Sequence, residues 1–245
     1  MARGPQYDAA LSASDLPDVV RRIRARTPAR LLVGRAGSAY RTTTQLELRE
    51  AHAAARDAVR AELHPGQDFG KEFVQRWNLF EVRTQATLKE DYLLRPDLGR
   101  HFGDGSRAAI ERHCVSNCDL QIVIGDGLSV AAVVTQIPQL LPLLYAGAAA
   151  RRWQVSRPFV IHHCRVGILN EIGELLHPRV AVLLIGERPG LTTATSLSAY
   201  MAYQPRASHT DANRHVISNI HARGLTAQEA AEPILALASR LMSTP

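Results

Sequence analysis

With 245 residues, 46% hydrophobic and 21% charged, the chain has the makeup of one large globular domain, or of one domain with a smaller helical extension, and not of a disordered or collagen-like protein. No apolar run approaches the roughly 18 residues that span a bilayer, and Asp8, Asp15 and Asp18 occupy the place where a signal peptide needs an apolar core, so a cytoplasmic protein without a membrane partner is expected. The net charge is +6 with 5% aromatic residues; arginines are spread except for Arg21, Arg22, Arg24, Arg26 and Arg30, which argues against a nucleic-acid partner or a base-stacking platform.

The first half reads as helices and loops. Leu16, Val19, Val20 and Ile23 recur at helical spacing within Asp15 to Arg26, with arginines on the opposite face. Thr44 and Glu47 form a T-x-x-E capping box that predicts a helix through Leu46, Leu48, Ala55, Val59 and Leu63, stopped by His64-Pro65-Gly66. Residues 66 to 105 are mixed, with Trp77, Phe80 and Tyr92 as packing anchors, and a helix is expected from Ser106 to about Asn117. The expected division is a helical N-terminal region over 1–105 and an α/β domain over 106–245.

From Asp119 the pattern becomes strand, polar loop, helix. Gln121 to Ile124, Phe159 to Ile161 and Val180 to Ile185 are short apolar runs rich in β-branched residues, as in a parallel sheet covered on both faces. Helices are expected over Pro138 to Ala150, bent by Pro142, and over Glu171 to Leu176. Thr226 and Glu229 make a second capping box, opening a closing helix lined by Ala230, Ile234, Leu237 and Leu241.

Ligands of an open parallel sheet collect where the strands end. Three such ends carry polar, glycine-bearing loops: Asp126-Gly127-Leu128-Ser129, Arg165-Val166-Gly167 and Gly186-Glu187-Arg188-Pro189-Gly190. Together they predict a binding crevice. Neither G-x-G-x-x-G after a strand nor a P-loop is present, so the two commonest phosphate cradles are excluded. G-x-S-x-G and H-E-x-x-H are absent as well, and Ser129 reads as structural because no His and Asp partners can be assigned to it. Cys114, Cys118 and Cys164 are an odd, low count without C-x-x-C spacing, which favours neither disulfides nor a metal site; His113 with Cys114 and Cys118, and His162-His163-Cys164, are the two clusters considered for metal. D-x-H-x-x-G, the histidine donor to cobalt in some B12 proteins, does not occur.

Taken in order, Arg95-Pro96-Asp97-Leu98-Gly99-Arg100, Asp126-Gly127-Leu128-Ser129, Gly186-Glu187-Arg188-Pro189-Gly190-Leu191 and Ile217-Ser218-Asn219-Ile220-His221 resemble the small subunit of ethanolamine ammonia-lyase. Gly34-Arg35-Ala36-Gly37 and Ser196-Leu197-Ser198 fit the same pattern, so the likeness runs from about residue 30 to the C-terminus. The resemblance implies a Rossmann-like α/β fold and an adenosylcobalamin-dependent lyase that turns ethanolamine into acetaldehyde and ammonia. It also implies a hetero-oligomer in which a large subunit, a (β/α)8 barrel, holds the substrate and the reacting residues, while this chain closes over the corrin and carries no catalytic residue of its own. In that family the cofactor's dimethylbenzimidazole stays on cobalt, in keeping with the missing D-x-H-x-x-G.

Carried over by motif, the cofactor contacts are Val166 in R-V-G-I, Glu187 in G-E-R-P-G and Val216 just before I-S-N-I-H. Val216 departs from the pattern, which has cysteine there, so a role through backbone or packing survives and one through a thiol does not. His162-His163 departs too. Family members often carry a longer N-terminal extension; the short one here argues for the cytoplasm over a bacterial microcompartment. The alternatives are a stand-alone Rossmann-like module holding cobalamin or a nucleotide, and a basic scaffold for acidic partners.

Overall fold

The structure, a computed structural model, describes residues 18–27, 29–31 and 33–243. The chain divides into two compact units, Met1–Glu50 and Ala51–Pro245. In the first, α1 (Asp18–Ala25) realises the arginine-rich helix; its expected first three residues, 15–17, lie outside the described ones. Strands β1 (Arg35–Ala36) and β2 (Ala39–Tyr40) pair antiparallel around the Gly34-to-Gly37 motif. Helix α2 (Thr42–Arg60) begins in this unit. It opens two residues before Thr44, so the Thr44–Glu47 box is not its cap, and it ends three residues short of Leu63.

The second unit runs α3 (Pro65–Asp68), α4 (Lys71–Trp77), β3 (Phe80–Arg83), α5 (Lys89–Leu94), a 3-10 turn at Leu98–Arg100, α6 (Ser106–His113) and β4 (Leu120–Gly125). It continues through α7 (Val130–Ala150), β5 (Phe159–His162), α8 (Ile168–Leu176), β6 (Val180–Gly186), β7 (Leu197–Tyr203), β8 (Arg214–Ile220) and α9 (Ala227–Ser243). One sheet of order β3-β5-β4-β6-β7-β8 organises it. β3, β5, β4 and β6 are parallel, as the apolar runs predict, but β7 and β8 are antiparallel. The expectation of a purely parallel sheet is therefore corrected to a mixed six-stranded α/β sheet flanked by helices. Phe80–Arg83, from the stretch that read as mixed, supplies an edge strand.

Alternation along the strands explains the two cores. Val180, Val182 and Leu184 of β6 join Ile122 and Ile124 of β4 against Val133, Ile137, Leu140 and Leu144 of α7 and Ile234 of α9. Ala181, Leu183 and Ile185 face the other way, with Phe159 and Ile161 of β5, onto Ile110 of α6 and Ile168 and Ile172 of α8. Burying both faces is what makes VAVLLI apolar throughout.

Helix α7 begins at Val130, eight residues before the expected start at Pro138, and continues through Pro138 and Pro142. By length and composition it could cross a membrane, contrary to the reading that no run is long enough; here its apolar side is buried in the core. Helix α9 starts as its capping box predicts: the Thr226 N–H and hydroxyl both donate to Glu229 Oε2, at 2.9 and 2.8 Å, and the Glu229 N–H donates back to Thr226 Oγ1 at 3.2 Å.

Candidate functional site

The ends of β4, β5 and β6 open on one edge of the sheet, because these three strands are parallel. The β4 loop is fixed first. Gly127 sits at φ +60°, and a Cβ there would lie 2.4 Å from the Gly186 carbonyl oxygen, so only glycine lets this turn press on the end of β6. Leu128 N–H donates to that same oxygen at 3.1 Å. Ser129 is fully buried and caps α7, accepting from Ala132 N–H at 3.3 Å and donating to the Ala194 carbonyl. Its hydroxyl is thus committed to structure, as read from sequence.

Asp126, only 1% exposed, shapes the next loop. One carboxylate oxygen accepts from His163 N–H at 2.7 Å and the other from Cys164 N–H at 2.9 Å. From the opposite side the Tyr92 hydroxyl donates to the Cys164 carbonyl at 3.0 Å. Arg165 N–H donates to Gly99 O at 2.8 Å. Gly99, inside the R-P-D-L-G-R motif, has no room for a side chain, since a Cβ would meet Arg165 Cγ at 2.6 Å. The Arg165 guanidinium lies 4.2 Å from the Tyr92 ring centre and donates to Tyr92 O at 2.9 Å. Val166 follows directly and is presented at the rim.

Glu187 ties the third wall together. Its Oε1 accepts from Ser198 Oγ at 2.6 Å and from Asn219 N–H at 2.9 Å. The G-E-R-P-G, S-L-S and I-S-N-I-H motifs, related in sequence only by their order, therefore meet at one carboxylate. Val216 stands across from Tyr200 in the β7–β8 register and is 48% exposed.

Val166, Glu187 and Val216 all line a single cleft of about 440 Å³. Leu128, Ile185 and Tyr200 add apolar wall, and Arg165 adds a cation. The Arg165 Nε is buried with no hydrogen-bond partner among the described residues. A charged donor left unpaired in a cleft is costly unless a ligand acceptor meets it. Beside Tyr92, Lys89 is buried with its ammonium 5.1 Å from the ring centre. Burial pushes its pKa down, and the charge of Asp126 opposes that fall.

The two clusters considered for metal are otherwise occupied. His162 bonds Glu81 at 2.7 Å, and His163 Nδ1 bonds the Ala86 carbonyl at 2.7 Å. Burial pushes the Cys114 and Cys118 thiols up to about 11 and Cys164 well above its ordinary value. Among the described residues no group of three or more His, Cys, Asp or Glu side chains is placed to hold a metal ion.

A family model described as Ethanolamine ammonia-lyase light chain (EutC) matches residues 17–244. The chain belongs to this family. Proteins named ethanolamine ammonia-lyase small subunit from Clostridium perfringens and Clostridioides difficile are each 41% identical to it over 220 residues, covering 90% of this chain and 72% and 73% of theirs. The like-named protein of Clostridium acetobutylicum is 36% identical over 220 residues, or 90% of this chain and 88% of its own. The small-subunit name of these relatives implies that they work with a larger subunit.

Val166, Glu187 and Val216, carried over by motif, line one cleft, and two residues that hold its wall carry no assignment from the sequence. Asp126 was read as part of a loop, and its role rests on partners 37 and 38 residues away. Arg165 stands in R-V-G-I without an assigned role; a charged residue three positions beyond a buried strand at the ligand edge is the signal that points to it.

Proposed function

We propose that this chain is the small subunit of an adenosylcobalamin-dependent ethanolamine ammonia-lyase, and that the cleft lined by Val166, Glu187 and Val216 is its share of the cofactor site. We read the parallel half of the sheet, with helices on both faces, as Rossmann-like. The observation that carries the cofactor assignment is the match in chemistry between cleft and corrin. A corrin is apolar on its faces and rimmed with amides, each offering a carbonyl acceptor and N–H donors. The cleft offers the buried Arg165 Nε–H as donor and the Oε2 of Glu187 as acceptor, both without a hydrogen-bond partner among the described residues, and Val166, Val216 and Ile185 as apolar surface between them.

Adenosylcobalamin supplies, when bound, a carbon radical by homolysis of its cobalt–carbon bond. The chain's own part is to hold and to shield. The Asp126 and Tyr92 bonds fix the Arg165–Val166 loop before any ligand arrives, so little ordering entropy is lost on binding. Val166 and Val216 exclude water from the covered face. Glu187 orients the rim through hydrogen bonds from amide N–H or ribose O–H. A 440 Å³ cleft covers one side of a corrin, leaving the other to the large subunit, which on this reading also holds ethanolamine and the reacting groups.

Reconstitution tests the proposal. The chain is mixed with the large subunit, adenosylcobalamin and ethanolamine, omitting each component in turn, and acetaldehyde is measured. Product only in the complete mixture is expected. Full turnover without this chain refutes the assignment, and cobalamin binding that needs no large subunit and yields no turnover favours a stand-alone module.

A further inference from the structure

A second cavity, of about 560 Å³, lies beside the cleft between α8 and the segment leading into β8. Arg214, Val216 and Ser218 alternate along β8; the first lines this cavity and the other two line the cleft. The carboxylates around the cavity are largely committed. Glu171 accepts from His101 Nδ1, Arg107 and the Phe102 N–H. Glu174 Oε1 accepts from the Ala207 N–H at 2.9 Å. Asp211 is ion-paired with Arg214.

The donors left over around the cavity are cationic or imidazole. The Arg214 side chain is only 7% exposed. It donates to Asp211 and to Asn170 Oδ1, and its Nε is buried without a partner among the described residues. His209 also lines the cavity, and its Nδ1 is buried without a partner among the described residues. The Arg100 side chain makes no hydrogen bond or ion pair among the described residues; its stem packs over Gly167, where a Cβ would meet Arg100 Cγ at 2.8 Å. Burial lowers the Arg214 pKa, Asp211 opposes this, and the charge of Arg100 lowers it further. Two guanidinium groups thus bear on one another across a cavity in which buried N–H groups lack an acceptor.

We propose that this cavity is an oxyanion site for a phosphate group, held by Arg214 Nε and Arg100 with His209 Nδ1–H as a further donor. Arginine's planar fork suits phosphate oxygens, and a buried donor left unpaired without ligand is a polar group whose cost the anion removes. Two sources carry that chemistry: a free phosphate or phosphate monoester, and the phosphodiester of the cofactor's nucleotide loop. The second rests on the cofactor assignment above; the first does not.

The test uses the full chain. Thermal unfolding is followed in inorganic phosphate and in chloride of matched ionic strength. A saturable rise in Tm specific to phosphate is expected, with apparent Kd at least tenfold weaker in Arg214→Met and in Arg100→Gln. Arg100→Gln removes an exposed side chain with no described polar partner, so it reports even if Arg214→Met fails to fold. No phosphate-specific stabilisation of the unaltered chain, or an unchanged Kd in Arg100→Gln, overturns the site. On the complex of both subunits, 31P NMR then separates the sources. Displacement of bound phosphate by cobalamin but not by cobinamide, which lacks the nucleotide loop, assigns the donors to the cofactor's phosphodiester; any other pattern assigns them to a free phosphate. Failure of the cofactor to bind at all would sink the cofactor assignment while leaving the phosphate result standing.

Discussion

Asp126 is the residue whose replacement should do most damage to the cleft for the smallest change in size. Its two oxygens accept from consecutive backbone N–H groups, His163 at 2.7 Å and Cys164 at 2.9 Å, at a position 1% exposed. Water cannot replace it there. A hydrogen bond to a charged group contributes about 1.5–3 kcal/mol, so Asp126→Ala, which orphans both donors, should cost roughly 3–6 kcal/mol. Asp126→Asn keeps one acceptor but turns an NH₂ toward the other N–H, and should cost roughly half as much. For a unit of this size the alanine loss corresponds to a fall in Tm on the order of 10 °C. Urea unfolding measures the energy, and hydrogen exchange localises it: the His163 and Cys164 amides should lose protection in Asp126→Asn while the β6 amides keep theirs. A fall below about 2 °C in Asp126→Ala, or unchanged exchange at the two amides, would refute this account of the loop.

Other outcomes follow from the same geometry. Glu187→Gln keeps an acceptor for Ser198 and Asn219 but removes the charge, so cobalamin should bind the two-subunit complex roughly tenfold more weakly with little change in unfolding midpoint; equal Kd values would remove Glu187 from the ligand set. With the Cys114 and Cys118 pKa values pushed up to about 11 by burial, iodoacetamide should label the native chain negligibly at pH 7 and about tenfold faster per pH unit on the way to pH 10. Rapid labelling at neutral pH would contradict that burial. Thr226→Ala should destabilise the chain by about 1 kcal/mol through loss of the α9 cap. The folded-state pKa of Glu229 is lowered by its bonds from Thr226, so its stabilising effect is present above the unfolded-state value and lost as pH falls through the folded one. The gap between variant and parent should therefore narrow in acid.

The elements legible from sequence are those whose signal is local. VAVLLI reads as a strand because both its faces are buried, and Thr226–Glu229 reads as a cap because the bonded groups are three residues apart. β8, with only Ile220 buried, shows no alternation to read, and β7 mixes Ser, Ala and Tyr with Leu and Met, so the two antiparallel strands carry no clear strand signal. α7 opens at Val130, ahead of Pro138, although Val130, Val133 and Val134 have weak helix preference; burial against the sheet overrides that preference. The Thr44–Glu47 pattern was a false cap, with Thr42 already opening the helix. The cleft was legible as three loops at one edge. Its fastening was not, because Asp126 reaches the β5 loop and Arg165 reaches Tyr92, 73 residues away, contacts that only the folded chain creates.

A structure of the two-subunit complex loaded with cobalamin weighs most directly on the cofactor assignment. The corrin edge should pack on Val166 and Val216, with one of its amide oxygens within hydrogen-bond reach of Arg165 Nε and a donor group at Glu187. A corrinoid bound away from these residues, or another molecule filling the cleft between them, would contradict it.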